Sequence, residues 1–248
     1  MALQEELEKE GLWLFKFRSF LPIFILLVAM GVHYLRESAT AAEDAPFDFY
    51  YDFICLGVSI FGLIIRIYTV GHTPKNTSGR NTAEGQVADT LNTTGIYSLV
   101  RHPLYLGNFF MWLGPAMLVQ NVWFIVAFIL FYWLYYERIM FAEEQFLRRK
   151  FGQTYVEWAE KTPAFIPKIS GFCTSNMVFS WKKVLKKEKN GLLAVFVIFM
   201  LFNIIGEVGE RRAEYNMFFV YGTAVSLSLY LVLKYLKNYT HMLDEAGR

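Results

Sequence analysis

Long uncharged stretches separated by charged segments dominate the hydrophobic pattern of this chain. Six such stretches lie at 19–35, 53–70, 104–119, 122–136, 191–206 and 217–233, and Arg66 is the one charged residue within them. A helix needs about 20 mainly apolar residues to cross the hydrocarbon core of a bilayer. The strict alternation of a membrane β-barrel is missing, and only helices otherwise satisfy the backbone in lipid. The pattern therefore predicts an all-α, polytopic membrane protein with about six transmembrane helices.

The third and fourth stretches are separated only by Gln120 and Asn121, which predicts a tight helical hairpin. Beyond the fourth stretch, apolar residues recur at helical spacing beside charged ones, so the helix is expected to continue to Phe151 and to end at Gly152. A short helix over 154–161 is expected before Pro163 breaks the pattern.

The segments between the hydrophobic stretches differ in charge. Basic residues precede the first stretch and are characteristic of the segments 72–102 and 138–190, whereas the segment 37–52 is acidic. By the positive-inside rule both termini are expected in the cytoplasm, in a bacterial inner membrane or, in a eukaryote, the endoplasmic reticulum. Because topology accounts for the positive residues, the net charge of +2 gives no reason to expect a nucleic-acid partner.

Three regions are predicted along the chain. Residues 1–71 carry the first two transmembrane helices, and 72–170 form a core of cytoplasmic loop, helical hairpin and amphipathic helix. Residues 171–248 add a basic segment, SWKKVLKKEK at 180–189, and a final hairpin. That basic segment is typical of a helix lying on anionic lipid.

Cysteine and histidine residues are few and scattered. Cys55 lies in the second stretch and Cys173 in a basic loop, so no disulfide is expected. The four histidines are too dispersed to form a ligand set, and no metal is predicted.

A polar motif stands at the start of the third stretch. Arg101 and His102 precede Pro103, which suits the first position of a helix because it has no amide hydrogen to satisfy. Taken alone, these residues could simply mark the inner face of the membrane and cap a helix. The hairpin, however, brings them beside Glu143 and Glu144 from the fourth helix, and polar clusters at the membrane boundary are usually functional.

Here the sequence resembles a known family. Its pattern is similar to that of the membrane methyltransferases grouped around isoprenylcysteine carboxyl methyltransferase and the phospholipid methyltransferases. The pattern consists of RHPLYLG, about 35 further residues, and then EEQFLRRKFGQTYVEW and TPAFIP. The resemblance covers roughly 90–168, with a weaker match at Gly62 and Arg66.

The resemblance implies S-adenosylmethionine as methyl donor, held at the cytoplasmic helix ends without a Rossmann sheet. Arg101 is expected to pair with the donor carboxylate, and Glu143 or Glu144 to accept from its amine or ribose hydroxyls. Aromatic faces would suit the sulfonium cation. The expected donor site comprises Tyr97, Arg101, His102, Pro103, Tyr105, Gly107, Glu143 and Glu144, with Tyr155 as a further aromatic candidate.

The acceptor is expected to be a membrane lipid or a lipidated substrate. Arg66, His72 and Arg80 are candidates for binding its anionic head group, although Arg66 could instead snorkel to the interface. Arg66, His102 and Glu144 are the expected catalytic residues; an ionised carboxylate or phosphate needs no base, whereas an amine does. A lipid head group is preferred over a prenylcysteine carboxylate, because the family core usually ends before a hairpin like the one at 191–233.

A noncatalytic transporter or scaffold is the rival class. Transporters tend to carry polar residues near mid-membrane and related halves, and neither feature is evident here.

Overall fold

The computed structural model describes residues 2–18, 21–40, 46–77, 80–82, 85–211 and 214–247. Eight α-helices lie in this part of the chain: α1 (Leu3–Phe17), α2 (Leu21–Thr40), α3 (Pro46–Gly71), α4 (Pro103–Leu118), α5 (Val122–Phe151), α6 (Gln153–Lys161), α7 (Trp181–Gly209) and α8 (Met217–Tyr239). Between α3 and α4 lie two short antiparallel strands, β1 (Arg80–Thr82) and β2 (Gly85–Val87), and a 3₁₀ turn at Ile96–Ser98.

The helices agree with the predicted membrane architecture. Among the described residues, five helices are long and apolar enough to cross a membrane, namely α2, α3, α5, α7 and α8. The remaining hydrophobic stretch forms α4, which has 16 residues. Ser19 and Phe20, at the predicted start of the first stretch, lie outside the described residues. The protein is thus an all-α polytopic membrane protein, as predicted.

The turn between α4 and α5 follows from its two polar residues. Gln120 adopts a positive φ of 52°, and the Asn121 side chain accepts a hydrogen bond from the amide of Phe124, capping α5. The predicted extension of α5 is confirmed, since the helix continues to Phe151. Gly152, at φ 56°, ends it in a conformation that favours glycine and starts α6.

Helices α3 and α4 cross at very short range because glycines line their contact. A Cβ atom on Gly107 would lie 2.6 Å from Arg66 Cγ and 2.8 Å from the Gly62 carbonyl oxygen. Gly114 meets the Ser59 side chain and the Cys55 carbonyl in the same way. This contact sets Arg66 of α3 beside the first turns of α4.

Two elements differ from expectation. Helix α1 has no long apolar run and was not predicted. It packs along α5, with Gly11 against the Arg138 carbonyl. The basic segment 180–189 is not a separate surface helix, because it continues into the membrane-spanning part of α7 and buries Lys183 and Glu188. Residues 41–45, within the predicted acidic loop, lie outside the described residues.

Candidate donor site

Backbone hydrogen bonds from a later segment hold the Arg101-His102 motif in place. The amide of Arg101 donates to the Pro163 carbonyl (2.9 Å) and that of His102 to the Ala164 carbonyl (3.1 Å). Further along, the amide of Lys168 donates to the Leu99 carbonyl at 3.1 Å. The proline-containing segment after α6 therefore fixes the entry to α4, where Pro103 occupies the first turn.

The Arg101 guanidinium is bonded on two sides. Its Nε and Nη2 atoms donate to the two carboxylate oxygens of Glu144, at 2.8 and 3.2 Å. Its Nη1 donates to the carbonyls of Ala159 and Thr162, at 2.7 and 3.0 Å. These carbonyls lie at the C-terminal end of α6, where the helix dipole favours a cation. Arg101 thus ties α4, α5 and α6 together.

His102 and Tyr105 complete the polar cluster. The Nε2 atom of His102 lies 2.9 Å from a Glu144 oxygen, and the imidazole stacks on the Tyr105 ring at 5.5 Å between centroids. The Tyr105 hydroxyl donates to Glu143 at 2.8 Å. The structure therefore brings together the two polar groups that the sequence analysis expected to meet.

A cavity of about 380 Å³ lies beside this cluster, within the size range of small-molecule sites. Most of the expected donor residues line it: Tyr97, Arg101, His102, Pro103, Tyr105 and Glu143. Glu144 lies behind Arg101 and His102, where it bonds to both. Gly107 faces Arg66 and Gly62 of α3, and this helix contact by itself explains why glycine stands there.

Two polar atoms of the cavity wall are buried without a hydrogen-bond partner among the described residues, the hydroxyl of Tyr155 and the amide nitrogen of Asn92. Burial and the neighbouring Glu144 carboxylate raise the pKa of Tyr155, so its hydroxyl stays protonated at neutral pH. Buried polar groups are normally satisfied, which makes these atoms candidates for bonding to a ligand.

The expected acceptor residues are dispersed. Arg66 donates from Nε and Nη2 to the Glu188 carboxylate, both at 2.8 Å, and from Nη1 to the Asn108 side chain at 2.6 Å. His72 packs between the rings of Tyr68 and Phe179 and does not line the donor cavity. The side chain of Arg80 lies outside the described residues.

Arg18, at the end of α1, was not anticipated as a site residue. It lines the cavity, and its guanidinium carbon lies 4.0 Å from the centroid of the Phe15 ring. Its positive charge was visible in the sequence, but nothing local indicated that α1 would bring it to this cavity.

An apolar slot adjoins the cavity on its membrane side. The slot shares Pro22, Trp112 and Tyr136 with the cavity and continues between α2, α4 and α5 along Phe128 and Phe131. The polar cavity thus lies next to an apolar surface suited to hydrocarbon.

Comparison with known proteins bears on this arrangement. Residues 53–154, which cover most of α3 and all of α4 and α5 with both polar clusters, match the model of the phospholipid methyltransferase family. This part of the chain is similar to phospholipid methyltransferases. No solved structure matches the chain significantly.

Several curated relatives are methyltransferases by name. A Xenopus laevis protein-S-isoprenylcysteine O-methyltransferase is 31% identical over 112 residues, 45% of this chain and 39% of that protein. The Schizosaccharomyces pombe enzyme of the same name is 41% identical over 80 residues, 32% of this chain and 34% of that protein. A cobalt-zinc-cadmium resistance protein of Cupriavidus metallidurans is 36% identical over 86 residues, 35% of this chain and 39% of that protein. The chain thus spans about two fifths or less of the length of these relatives.

The residues of the cavity fit S-adenosylmethionine, the methyl donor that the resemblance implies. It combines a carboxylate at Glu143, a cation at Arg101 and the two unsatisfied polar atoms of Tyr155 and Asn92. S-adenosylmethionine carries an amino acid moiety, ribose hydroxyls and an adenine that can use groups of these kinds.

Proposed function

We propose that this protein transfers a methyl group from S-adenosylmethionine to an anionic oxygen on a lipid-linked acceptor, with a C-terminal prenylcysteine carboxylate as the preferred acceptor. One observation carries the proposal: the Arg101-His102 and Glu143-Glu144 clusters flank a cavity that adjoins an apolar slot. The polar part can hold the donor, and the slot, which measures about 20 Å³ in this structure, marks the side from which a hydrocarbon chain can approach once the helices separate. The similarity to isoprenylcysteine O-methyltransferases supports this acceptor over a phospholipid.

We assign the donor contacts from the hydrogen-bonding capacity that remains. A guanidinium has five N–H groups, and Arg101 uses four in its bonds to Glu144, Ala159 and Thr162. The remaining one, with the Tyr155 hydroxyl, can donate to the donor carboxylate. Glu143, which already accepts from Tyr105, can accept from the donor amine or ribose. Glu144 acts as a positioning residue that holds Arg101 and His102.

The bound donor supplies a sulfonium whose methyl group is electrophilic. The protein contributes orientation and exclusion of water, through the aromatic walls at Tyr97, Tyr136 and Trp158. The indole of Trp158 donates to the Tyr97 carbonyl at 3.1 Å, which braces this wall. A carboxylate acceptor is ionised at neutral pH, so the reaction needs no general base.

A phospholipid head group is the second candidate, favoured by the description of the matching family. An amine acceptor would have to lose a proton. His102 would then be the base, because it lines the cavity and is oriented by Glu144 at 2.9 Å. By the positive-inside rule, we place the cavity and both termini on the cytoplasmic side.

The purified protein, reconstituted in lipid nanodiscs, should bind S-adenosylhomocysteine and transfer tritiated methyl from S-adenosylmethionine to N-acetyl-S-farnesylcysteine. Mild alkali should release the label as methanol, as expected of a methyl ester. His102→Ala should lower donor binding by about tenfold or more, since the substitution removes a cavity wall and a partner of Glu144.

His241→Ala is the matched control, because the His241 side chain is 99% exposed and does not line the cavity. Folded wild-type protein that binds no S-adenosylhomocysteine would contradict the donor site. Label that enters phospholipid and resists alkali would favour the second acceptor.

A further inference from the structure

Arg66 of α3 is a charged side chain that the donor assignments leave unused. It lines the donor cavity together with Arg101 and Tyr105 but bonds to other residues. Its alkyl stem crosses α4 at Gly107, where a Cβ atom would lie 2.6 Å from Arg66 Cγ. A larger residue at that position would push the stem away, so the glycine keeps the guanidinium at the cavity wall.

A second cavity adjoins the donor cavity at Arg66 and Leu104, which line both. It lies between the end of α3 and the first turns of α7, and Glu188 of α7 lines it without lining the donor cavity. Asn108, by contrast, lines the donor cavity and not the second one. Arg66 therefore stands at the boundary of the two cavities, with its carboxylate partner on the side of the second.

The Arg66–Glu188 pair is firmly held, but it does not saturate the guanidinium. Nε and Nη2 donate to the two Glu188 oxygens at 2.8 Å, and Nη1 donates to the Asn108 side chain at 2.6 Å. A guanidinium carries five N–H groups, so these three bonds leave two, one on each terminal nitrogen, without a partner among the described residues. The Arg66 side chain is 23% exposed and that of Glu188 5%, so the arginine is the member of the pair that a ligand can reach.

The two remaining N–H groups suit the anionic oxygens of the proposed acceptor. Guanidinium N–H groups in a fixed fork match a carboxylate in geometry. Because Arg66 lines the cavity assigned to the donor, a carboxylate bound there would lie beside the donor. A simple fastening between α3 and α7 would need only the ion pair, and it gives no reason for the arginine to line the donor cavity.

Glu188 changes how strongly Arg66 can hold an anion. Its carboxylate balances the guanidinium charge, so an acceptor meets directed N–H groups rather than an isolated cation. A carboxylate loses its negative charge as its oxygen bonds to the methyl carbon. An arginine without a counter-ion would therefore stabilise the acceptor more than the transition state, and a balanced pair suits a reacting anion better.

We propose that Arg66 holds the carboxylate of the prenylcysteine acceptor, and that Glu188 is the positioning residue that orients Arg66 and moderates its charge. This assignment rests on the proposed function. It gives helix α7 a part in acceptor recognition, since Glu188 lies beyond the matched residues 53–154.

The affinities of the nanodisc-embedded full chain for N-acetyl-S-farnesylcysteine and for its neutral amide, with and without S-adenosylhomocysteine, test the assignment. Wild type should prefer the acid by about tenfold, the equivalent of one charge-assisted hydrogen bond. The double variant Arg66→Gln, Glu188→Gln keeps the shape of the pair without leaving a buried unpaired charge, and it should lose this preference. Glu188→Gln alone should bind the acid about tenfold more tightly, because it removes the counter-ion, and should lower kcat.

Glu207→Gln is the control on the same helix, since Glu207 lines neither cavity, and it should leave the preference for the acid unchanged. Equal affinity of wild type for acid and amide would overturn the role of Arg66, as would a preference that survives in the double variant. Unchanged or weaker binding of the acid by Glu188→Gln would overturn the role of Glu188. A general loss of stability cannot produce the expected gain in affinity.

The comparison of acid and amide without S-adenosylhomocysteine does not use the donor site. A preference for the acid in a protein that binds no S-adenosylhomocysteine would therefore contradict only the proposed methyl transfer.

Discussion

Each of the two cavities has an arginine–glutamate ion pair at its wall, and the two pairs have different roles. In the donor cavity, Arg101 is bound through two atoms by Glu144, and both residues lie within the matched domain. The second cavity, of about 580 Å³, lies between the end of α3 and the first turns of α7. At its boundary Arg66 is bound in the same manner by Glu188, which lies on α7 beyond the matched residues. One pair assembles the site within the domain, whereas the other attaches a later helix to it.

The largest difference between the two ion pairs is expected when each glutamate is substituted in turn. Glu144→Ala leaves both Arg101 and His102 without their carboxylate, so we expect a loss of about 3 kcal/mol in the free energy of unfolding, the low end for a broken buried pair. Donor binding should be lost as well. Glu188→Ala should also destabilise the protein, because it leaves Arg66 without its carboxylate, but it should keep donor binding. Thermal unfolding in detergent and S-adenosylhomocysteine binding measure both effects.

Glu137→Ala controls for the loss of a glutamate from α5, because the Glu137 side chain is 45% exposed. If Glu188→Ala abolished donor binding at a temperature where the protein stays folded, the two cavities would have to be treated as one site.

An intermediate effect is expected at the glycine contact between α3 and α4. Gly107→Ala introduces a methyl group 2.6 Å from Arg66 Cγ and 2.8 Å from a carbonyl oxygen, so the helices must move apart. We expect a cost of about 1–3 kcal/mol, as for other overpacked cores. Gly57→Ala, on α3 with no atom within 4 Å of the added methyl, should cost nothing measurable. Thermal unfolding of both variants measures the difference, and equal melting temperatures would show that the contact is not tight.

The smallest effect is expected for Tyr155→Phe. The hydroxyl lies near the Glu144 carboxylate without a hydrogen bond of normal geometry among the described residues, so its removal should change the melting temperature little. If the hydroxyl bonds to the donor, affinity for S-adenosylhomocysteine should fall by about five- to tenfold, which corresponds to one neutral hydrogen bond. Titration calorimetry measures this change. Tyr221→Phe, at a residue that is 67% exposed, is the control, and equal affinities in the two variants would remove Tyr155 from the donor site.

Local pattern predicted much of the fold and of the donor site. Apolar runs marked the membrane helices, and Gly152 marked the end of α5. The short turn at Gln120-Asn121 implied that the two polar motifs would meet, which the bonds of Glu144 to Arg101 and His102 now show. These inferences depend only on helix geometry and on residues joined by a short connection.

Contacts between distant segments were not predictable in this way. Glu188 and Arg66 are separated by 122 positions, and nothing near either residue indicates its partner. The packing of α1 on α5 was missed because α1 is amphipathic and rich in charge, so it lacks the long apolar run of a membrane helix. The basic segment before the final hairpin was assigned to the lipid surface because lysines usually lie there, whereas Lys183 finds buried oxygen partners.

The Arg66–Glu188 pair also constrains how the protein is made. During synthesis Arg66 in α3 emerges from the ribosome long before α7 does. Until α7 is inserted, Arg66 has no Glu188 partner and can bond only to Asn108, to water at the lipid boundary or to the membrane-insertion machinery. Newly synthesised α3 and α4 therefore reach their final electrostatic state only when α7 has been inserted. A nascent chain stopped before Glu188 should accordingly be a preferred target of membrane quality-control proteases.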